Sequence, residues 1–145
     1  MNGGVKVFSK NVFDNIANNK TRFMLLNSVI ILFFTGITFT FVIPTLKGFS
    51  VIELFIAVVV YIFSANIFVG IFVNRIYTVF IISFVLCSLG MGWRLWLEWG
   101  EFSLVEHTNP VVIIGYPSIL AFIITLIYTI SEKFKTKKII LVDRD

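Results

Sequence analysis

Few side chains in this 145-residue chain are equipped for chemistry, and their spacing narrows the choice further. Cys87 is the only cysteine and His107 the only histidine. An intramolecular disulfide, a CxxC redox pair, an HExxH zinc site and a two-histidine metal site each lack a necessary part. Neither a GxxxxGKS/T phosphate loop nor a GxSxG nucleophile elbow occurs, so phosphate-cradle and hydrolase chemistries have no minimum set of groups. The aspartates are Asp14, Asp143 and Asp145, which leaves no pair for an intramembrane aspartyl protease. The expectation is a protein that is not an enzyme and binds no cofactor.

The ionisable groups that do stand together follow Gly90–Glu101, which reads GMGWRLWLEWGE and leads into Glu106 and His107. Trp93, Trp96 and Trp99 match an interfacial aromatic belt, with the indole ring in apolar surroundings and its N–H in water. Arg94 extends the small-residue series Ser83, Cys87, Gly90 by one more turn, which puts its guanidinium on the inward face of a helix. Glu98, a turn later, can pair with it. Carboxylates with one imidazole suit Zn²⁺ or Mn²⁺, but no two of Glu98, Glu101, Glu106 and His107 stand at a motif spacing, so no metal site is assigned. A solvated loop is the first reading. A docking rim for a partner or headgroup, made of Arg94, Glu98, Glu101, Glu106 and His107, is the second.

Composition specifies the elements that must hold these groups. Hydrophobic residues make up 58% and charged residues 14%, with a mean hydropathy of +0.97, whereas a soluble domain carries about 25% charged residues. Phe23–Ile43, Val51–Val73, Ile76–Trp93 and Val111–Ile130 have no charge in their interiors, and each is near the roughly 20 residues that cross a bilayer core as a helix. Runs such as Ile56–Phe63 do not alternate as barrel strands do. The expected fold is all-α and integral to the membrane: a four-transmembrane-helix bundle with spans at 23–43, 51–73, 76–97 and 111–130, an N-terminal segment 1–22 and a basic tail 131–145. Of the 12 Lys and Arg residues, only Lys47 and Arg94 fall outside the N-terminal segment, the turn at Arg75 and the tail. The positive-inside rule then predicts both termini in the cytoplasm.

Ahead of the first span, Val5, Phe8, Val12 and Ile16 share one helical face and Lys6, Lys10 and Asp14 the other. That is the pattern of an amphipathic helix in the headgroup plane, although a solvated leader fits equally. Asn18 and Asn19 would end it. Phe23–Ile43 is too long for a cleaved signal and has no A-x-A site, so it reads as a retained anchor. In the tail, Lys133–Lys138 reads as a stop-transfer anchor, and Ile139–Val142, too short for a helix, is expected to lie on the membrane or add as a strand to a partner's sheet. The net charge of +4 is concentrated in these flanks, where it meets anionic lipid. No basic groove with interleaved aromatics exists to take nucleic acid.

Within the spans, a proton-coupled exporter would need an ionisable residue deep in the bilayer. Glu53 is the one candidate acid and lies a single turn from the start of its span, close enough to snorkel to the interface. The other polar residues are neutral. Ser83, Cys87 and Gly90, and Ser118, Ala121, Thr125 and Thr129, form narrow small-residue stripes of the kind that let helices approach closely. Asn66 with Gly70 is expected to make a similar contact, and Pro117 to loosen the start of the last span. Glu53, Asn66, Ser83, Cys87, Ser118 and Thr125 are thus candidate packing or path residues, with packing the first reading.

One stretch, Phe72–Phe80, FVNRIYTVF, resembles the NR-aromatic signature of GtrA-type four-helix proteins, a family associated with flipping polyprenyl-linked sugars. It carries one extra residue before the last Phe and is followed by a longer acidic loop, so no functional residue is carried over. The expected function is that of a binding, accessory, regulatory or immunity-type subunit acting on another membrane component, with membrane lipids and a membrane-protein partner around it. A homo-oligomeric channel, transporter or lipid-carrier flippase is the alternative. Because Arg94 is expected to face the bundle and Lys47 a short loop, Arg94→Ala should destabilise the protein more than Lys47→Ala in a detergent unfolding titration. Equal tolerance would refute the placement.

Overall fold

The structure is a computed structural model that describes residues 3–42, 50–97 and 109–142, and its elements there are all helices. They are α1 (Gly3–Asn18), α2 (Lys20–Val42), α3 (Val51–Ile71), α4 (Ile76–Leu97) and α5 (Pro110–Val142). Local signals fix several ends. Ser50, in extended conformation, caps α3 by accepting from the Glu53 N–H at 3.4 Å. Asn109 caps α5 through its Oδ1, which accepts from the Val111 N–H at 3.0 Å, and Pro110 supplies a first helical residue whose missing N–H is not needed. α3 stops at Phe72, and Asn74 turns the chain with φ 55°.

Four of the helices are long and apolar enough to cross a membrane: Lys20–Phe39, Val51–Ile71, Ile76–Leu97 and Pro110–Lys137. Only 28–39% of each span is buried within the protein, and the outward faces carry large apolar side chains such as Leu25, Val29, Ile52, Phe55, Ile81, Val111 and Phe122. Apolar outward faces this extensive, on helices long enough to span, are of the kind that meets lipid or another apolar partner.

In cross-section the order is α2, α3, α5, α4, so α2 and α5 lie on one diagonal and α3 and α4 on the other. The link from Phe72 to Arg75 therefore crosses the end of the bundle rather than joining neighbours. Five Cα–Cα steps reach roughly 17 Å, enough for the diagonal of a bundle whose adjacent axes are about 8–10 Å apart. The centre is filled by Ile31, Ala65, Phe68, Val79, Cys87, Ile124 and Tyr128.

Two departures from the sequence reading concern the ends. The N-terminal segment is helical as expected, and the face of α1 that packs on protein has a different phase: Ile16 is buried against Gly70 of α3, and the Phe13 ring lies 4.3 Å from the Lys135 ammonium of α5. Val12, expected on the seated face, is 43% exposed; the face is phased on Phe13 and Ile16 because Gly70 opens a slot for Ile16. The side chains of Val5, Phe8, Lys6 and Lys10 lie outside the described residues. The second departure is the tail. α5 continues through Ile139–Val142 instead of ending near Ile130, since residues 131–142 contain no Gly or Pro and are rich in Lys, a good helix former. At 33 residues it is about 50 Å long, well beyond a bilayer core of about 30 Å.

Close approach is greatest between α2 and α4. A methyl group at Gly90 would overlap the Leu32 carbonyl oxygen, whereas one at Gly92 would meet nothing within 4 Å. Gly90→Ala should therefore cost about 1–3 kcal/mol by overpacking, while Gly92→Ala should stabilise by up to about 1 kcal/mol through helix propensity. Reversible unfolding in mixed micelles would measure both, and a neutral Gly90→Ala would contradict the α2–α4 contact.

Candidate functional site

The polar residues of the spans converge on α2. Asn27 donates from Nδ2 to the Ser64 carbonyl of α3 at 3.2 Å. Two turns on, the Thr35 hydroxyl lies 3.6 Å from Cys87 Sγ of α4 and 3.3 Å from the Tyr61 hydroxyl of α3. Thr35 has one proton, so donation to Cys87 leaves it to accept from Tyr61. Thr38 donates to the Phe34 carbonyl at 2.8 Å and so accepts from the Tyr116 hydroxyl of α5 at 2.9 Å. One helix thus bonds to the other three. In lipid such interhelical bonds are worth about 0.6–2 kcal/mol each.

Glycines make room for this seam. Gly36 is covered by the Trp93 indole, which would stand 2.8 Å from an added Cβ, and Trp93 also lies beside Phe33 at 6.1 Å between ring centroids. Trp93 therefore packs against α2, unlike Trp96, which is 72% exposed as a belt residue would be. Trp99 lies outside the described residues.

A second polar group sits at the end of the bundle that carries α1. Tyr128 and Glu132, one turn apart on α5, hold the crossing link between α3 and α4. Glu132 Oε1 accepts from the Asn74 N–H at 2.6 Å. The Tyr128 hydroxyl is 2.9 Å from the Phe72 carbonyl and 3.1 Å from Glu132 Oε1, and it accepts from the Arg75 N–H at 3.4 Å. A link that leaves the helical ladder thereby has its backbone groups matched by side chains. Lys20, Arg22, Arg75, Lys133 and Lys137 are exposed around this same end.

The candidate residues named from sequence fall out as follows. Ser83 and Cys87 are fully buried, and Gly90 of the same stripe meets α2. Arg94, on the same helix, is half-buried. Thr125 is buried with its hydroxyl on the Ala121 carbonyl at 2.7 Å, and half-buried Ser118 bonds the Ile114 carbonyl at 2.6 Å beside Pro117, which lies inside the continuous helix. Asn66 bonds its own helix at Ile62 O, 2.8 Å, so the interhelical amide is Asn27 rather than Asn66, and Gly70 receives Ile16 instead. Glu53 is half-buried near the α3 start, with Oε2 enclosed and unbonded among the described residues. Glu98, Glu101, Glu106 and His107 lie outside the described residues, as does Lys47. Among the described residues, no group of three His, Cys, Asp or Glu is placed to hold a metal ion.

Sequence reasoning did not single out Tyr61, Tyr116, Tyr128 or Glu132. The first three read as ordinary apolar-span residues, and Glu132 is lost among lysines. Comparison of the chain with family models, curated proteins and solved structures gives no match.

Removing the Tyr128 hydroxyl with Tyr128→Phe should cost about 1–2 kcal/mol, since it strips bonds from two backbone groups. At Asn74 the left-handed conformation tolerates Gly, whereas Asn74→Val should cost about 1–2 kcal/mol. Unfolding titrations of the three variants test the clamp; an unaffected Asn74→Val would show that the turn does not need this conformation.

Proposed function

We propose that this chain is a multi-pass membrane protein with both termini in the cytoplasm that acts as a non-catalytic binding subunit, regulating, stabilising or protecting against another membrane component. The observation that carries the reading is the fate of the interior polar groups. Asn27, Thr35, Thr38, Tyr61 and Tyr116 each make a hydrogen bond to another helix, and the centre between them is filled by apolar side chains. Such an interior holds four helices in one arrangement and leaves the exterior and the two ends to do the binding. The orientation rests on the end that gathers α1, Arg75 and the lysines of α5, because excess Lys and Arg stay on the cytoplasmic side. The acidic stretch after α4 and the protruding end of α5 are the docking surfaces of this reading.

The alternative, a homo-oligomeric channel, transporter or lipid-carrier flippase, draws on the same seam as a path. Four helices packed this closely do not enclose a pore alone, so that alternative requires self-association. Native mass spectrometry of the protein released from its own membrane with lipids retained separates the two. A defined complex with a different membrane protein at fixed stoichiometry is expected, and its affinity should fall when Glu98 and Glu101 are changed to Gln. A homo-oligomer with no second protein, together with flux in liposomes, would overturn the binding-subunit reading.

A further inference from the structure

Three polar atoms in the bundle interior stand apart from the seam. Asn27 Oδ1, Ser64 Oγ and Ser83 Oγ are enclosed and have no hydrogen-bond partner among the described residues, and each belongs to a residue with 0% exposure. The two hydroxyls are informative because a helical serine has a ready alternative, the carbonyl four residues back. Ser28, Ser118, Thr125 and Thr129 take it, at 2.6–2.8 Å. Ser64 and Ser83 do not, so their hydroxyls are directed elsewhere.

These atoms come from adjoining parts of three helices. The Asn27–Ser64 bond fixes the Asn27 amide beside Ser64. On the other side of α2, Cys87 meets Thr35, and α2 and α4 run in the same direction. One turn back along both brings Ser83 level with Ile31, a further turn of about 5 Å from Asn27. α3 and α4 flank α2 on its two sides, and the unbonded groups lie within about one helical turn of one another along the bundle.

Native interiors leave few such atoms unbonded, and their usual partner is an internal water making two to four bonds. We propose that this level of the bundle is a bound-water site, in which water donates to Asn27 Oδ1 and exchanges hydrogen bonds with the hydroxyls of Ser64 and Ser83. The donor set fits water. The amide oxygen can only accept, and the hydroxyls can do either. A metal cation would want about six oxygens, twice the number of unbonded ones here. The site is independent of whether the protein binds a partner or conducts a solute.

The sign of a stability change tests it. In the full chain in lipid nanodiscs, Ser83→Ala removes a hydroxyl that is bonded if water is present and unbonded if the site is dry. With water, the unfolding equilibrium constant should rise about five- to tenfold; in a dry interior it should fall, because an unmatched hydroxyl has been taken out. Ser118→Ala, whose hydroxyl is already bonded to its own helix, serves as the reference. Alongside, magnetisation transfer from water to the backbone amides of Ser64 and Ser83 reports the molecule directly in the unmodified protein, with choline replacing sodium to exclude an ion. Transfer together with a raised constant supports the site. Absent transfer, transfer that depends on sodium, or an unchanged or lowered constant for Ser83→Ala would overturn it.

Discussion

A polar side chain enclosed in an apolar bundle is costly to leave without a partner, so most of the amides and hydroxyls described in these helices are matched inside the protein or turned back on their own helix. The rest of this structure is arranged around that constraint, and α2 meets it for the whole bundle. Asn27 ties it to α3, Thr35 to α3 and α4, and Thr38 to α5. Because α2 is diagonal to α5, the last of these needs a long side chain on the far helix. Tyr116 provides it, steadied by the edge of the Phe39 ring at 5.2 Å. Weak bonds taken singly thus fix rotation and height for all four helices together.

The glycines follow from the same requirement. A hydroxyl as short as that of threonine reaches a neighbouring helix only when the backbones are close, and Gly90 against the Leu32 carbonyl gives that closeness just beyond the Thr35–Cys87 contact. Gly36 uses the opposite device, a missing side chain filled by Trp93. At the other end of the bundle the constraint falls on backbone rather than side chains. The link from Phe72 to Arg75 crosses a diagonal and so leaves the helical ladder, and Tyr128 with Glu132 take up its exposed groups. The carboxylate of Glu132 is positioned by the continuation of α5 beyond Ile130, which connects the length of that helix to the integrity of the turn.

How much of this was legible in the sequence depends on what carries phase. Span number and helical class were legible because twenty-residue apolar runs have few other interpretations. The Ser83, Cys87, Gly90 face was legible because small residues at steps of four and three mark one side of a helix whatever surrounds them. The choice between Asn27 and Asn66 was not. Both sit in helices that are apolar all round, where hydrophobic periodicity no longer says which side faces inward, and only the packed neighbours decide. The tyrosines were hidden for a related reason: Tyr61, Tyr116 and Tyr128 each present an apolar body with a polar tip, and sequence reports the body. The continuation of α5 is hidden because Lys133–Lys138 reads as an anchor and Ile139–Val142 as a run too short for a helix of its own, although lysine favours helix and no breaker intervenes.

The proton count along the seam bears on the choice between a rigid binding subunit and a conduit. The Thr38 proton is committed to the Phe34 carbonyl and the Tyr116 proton to Thr38; the Thr35 proton is committed to Cys87 and the Tyr61 proton to Thr35. A solute travelling along this line would have to displace those bonds one after another, and each displacement would loosen the contact that sets a helix pair in register. The same bonds that hold the bundle together would then be the barrier to passage. A bundle built this way gains a fixed exterior at the expense of an open interior, and that is the property on which the proposed binding role relies. Among the described residues, the enclosed polar atoms left uncommitted are Glu53 Oε2 near the start of α3 and, deeper in the bundle, those of Asn27, Ser64 and Ser83. That deeper level is bounded above by the committed seam and filled around by Ile31, Phe68 and Ile124, which makes it an enclosed site within the packing rather than a stretch of a continuous route.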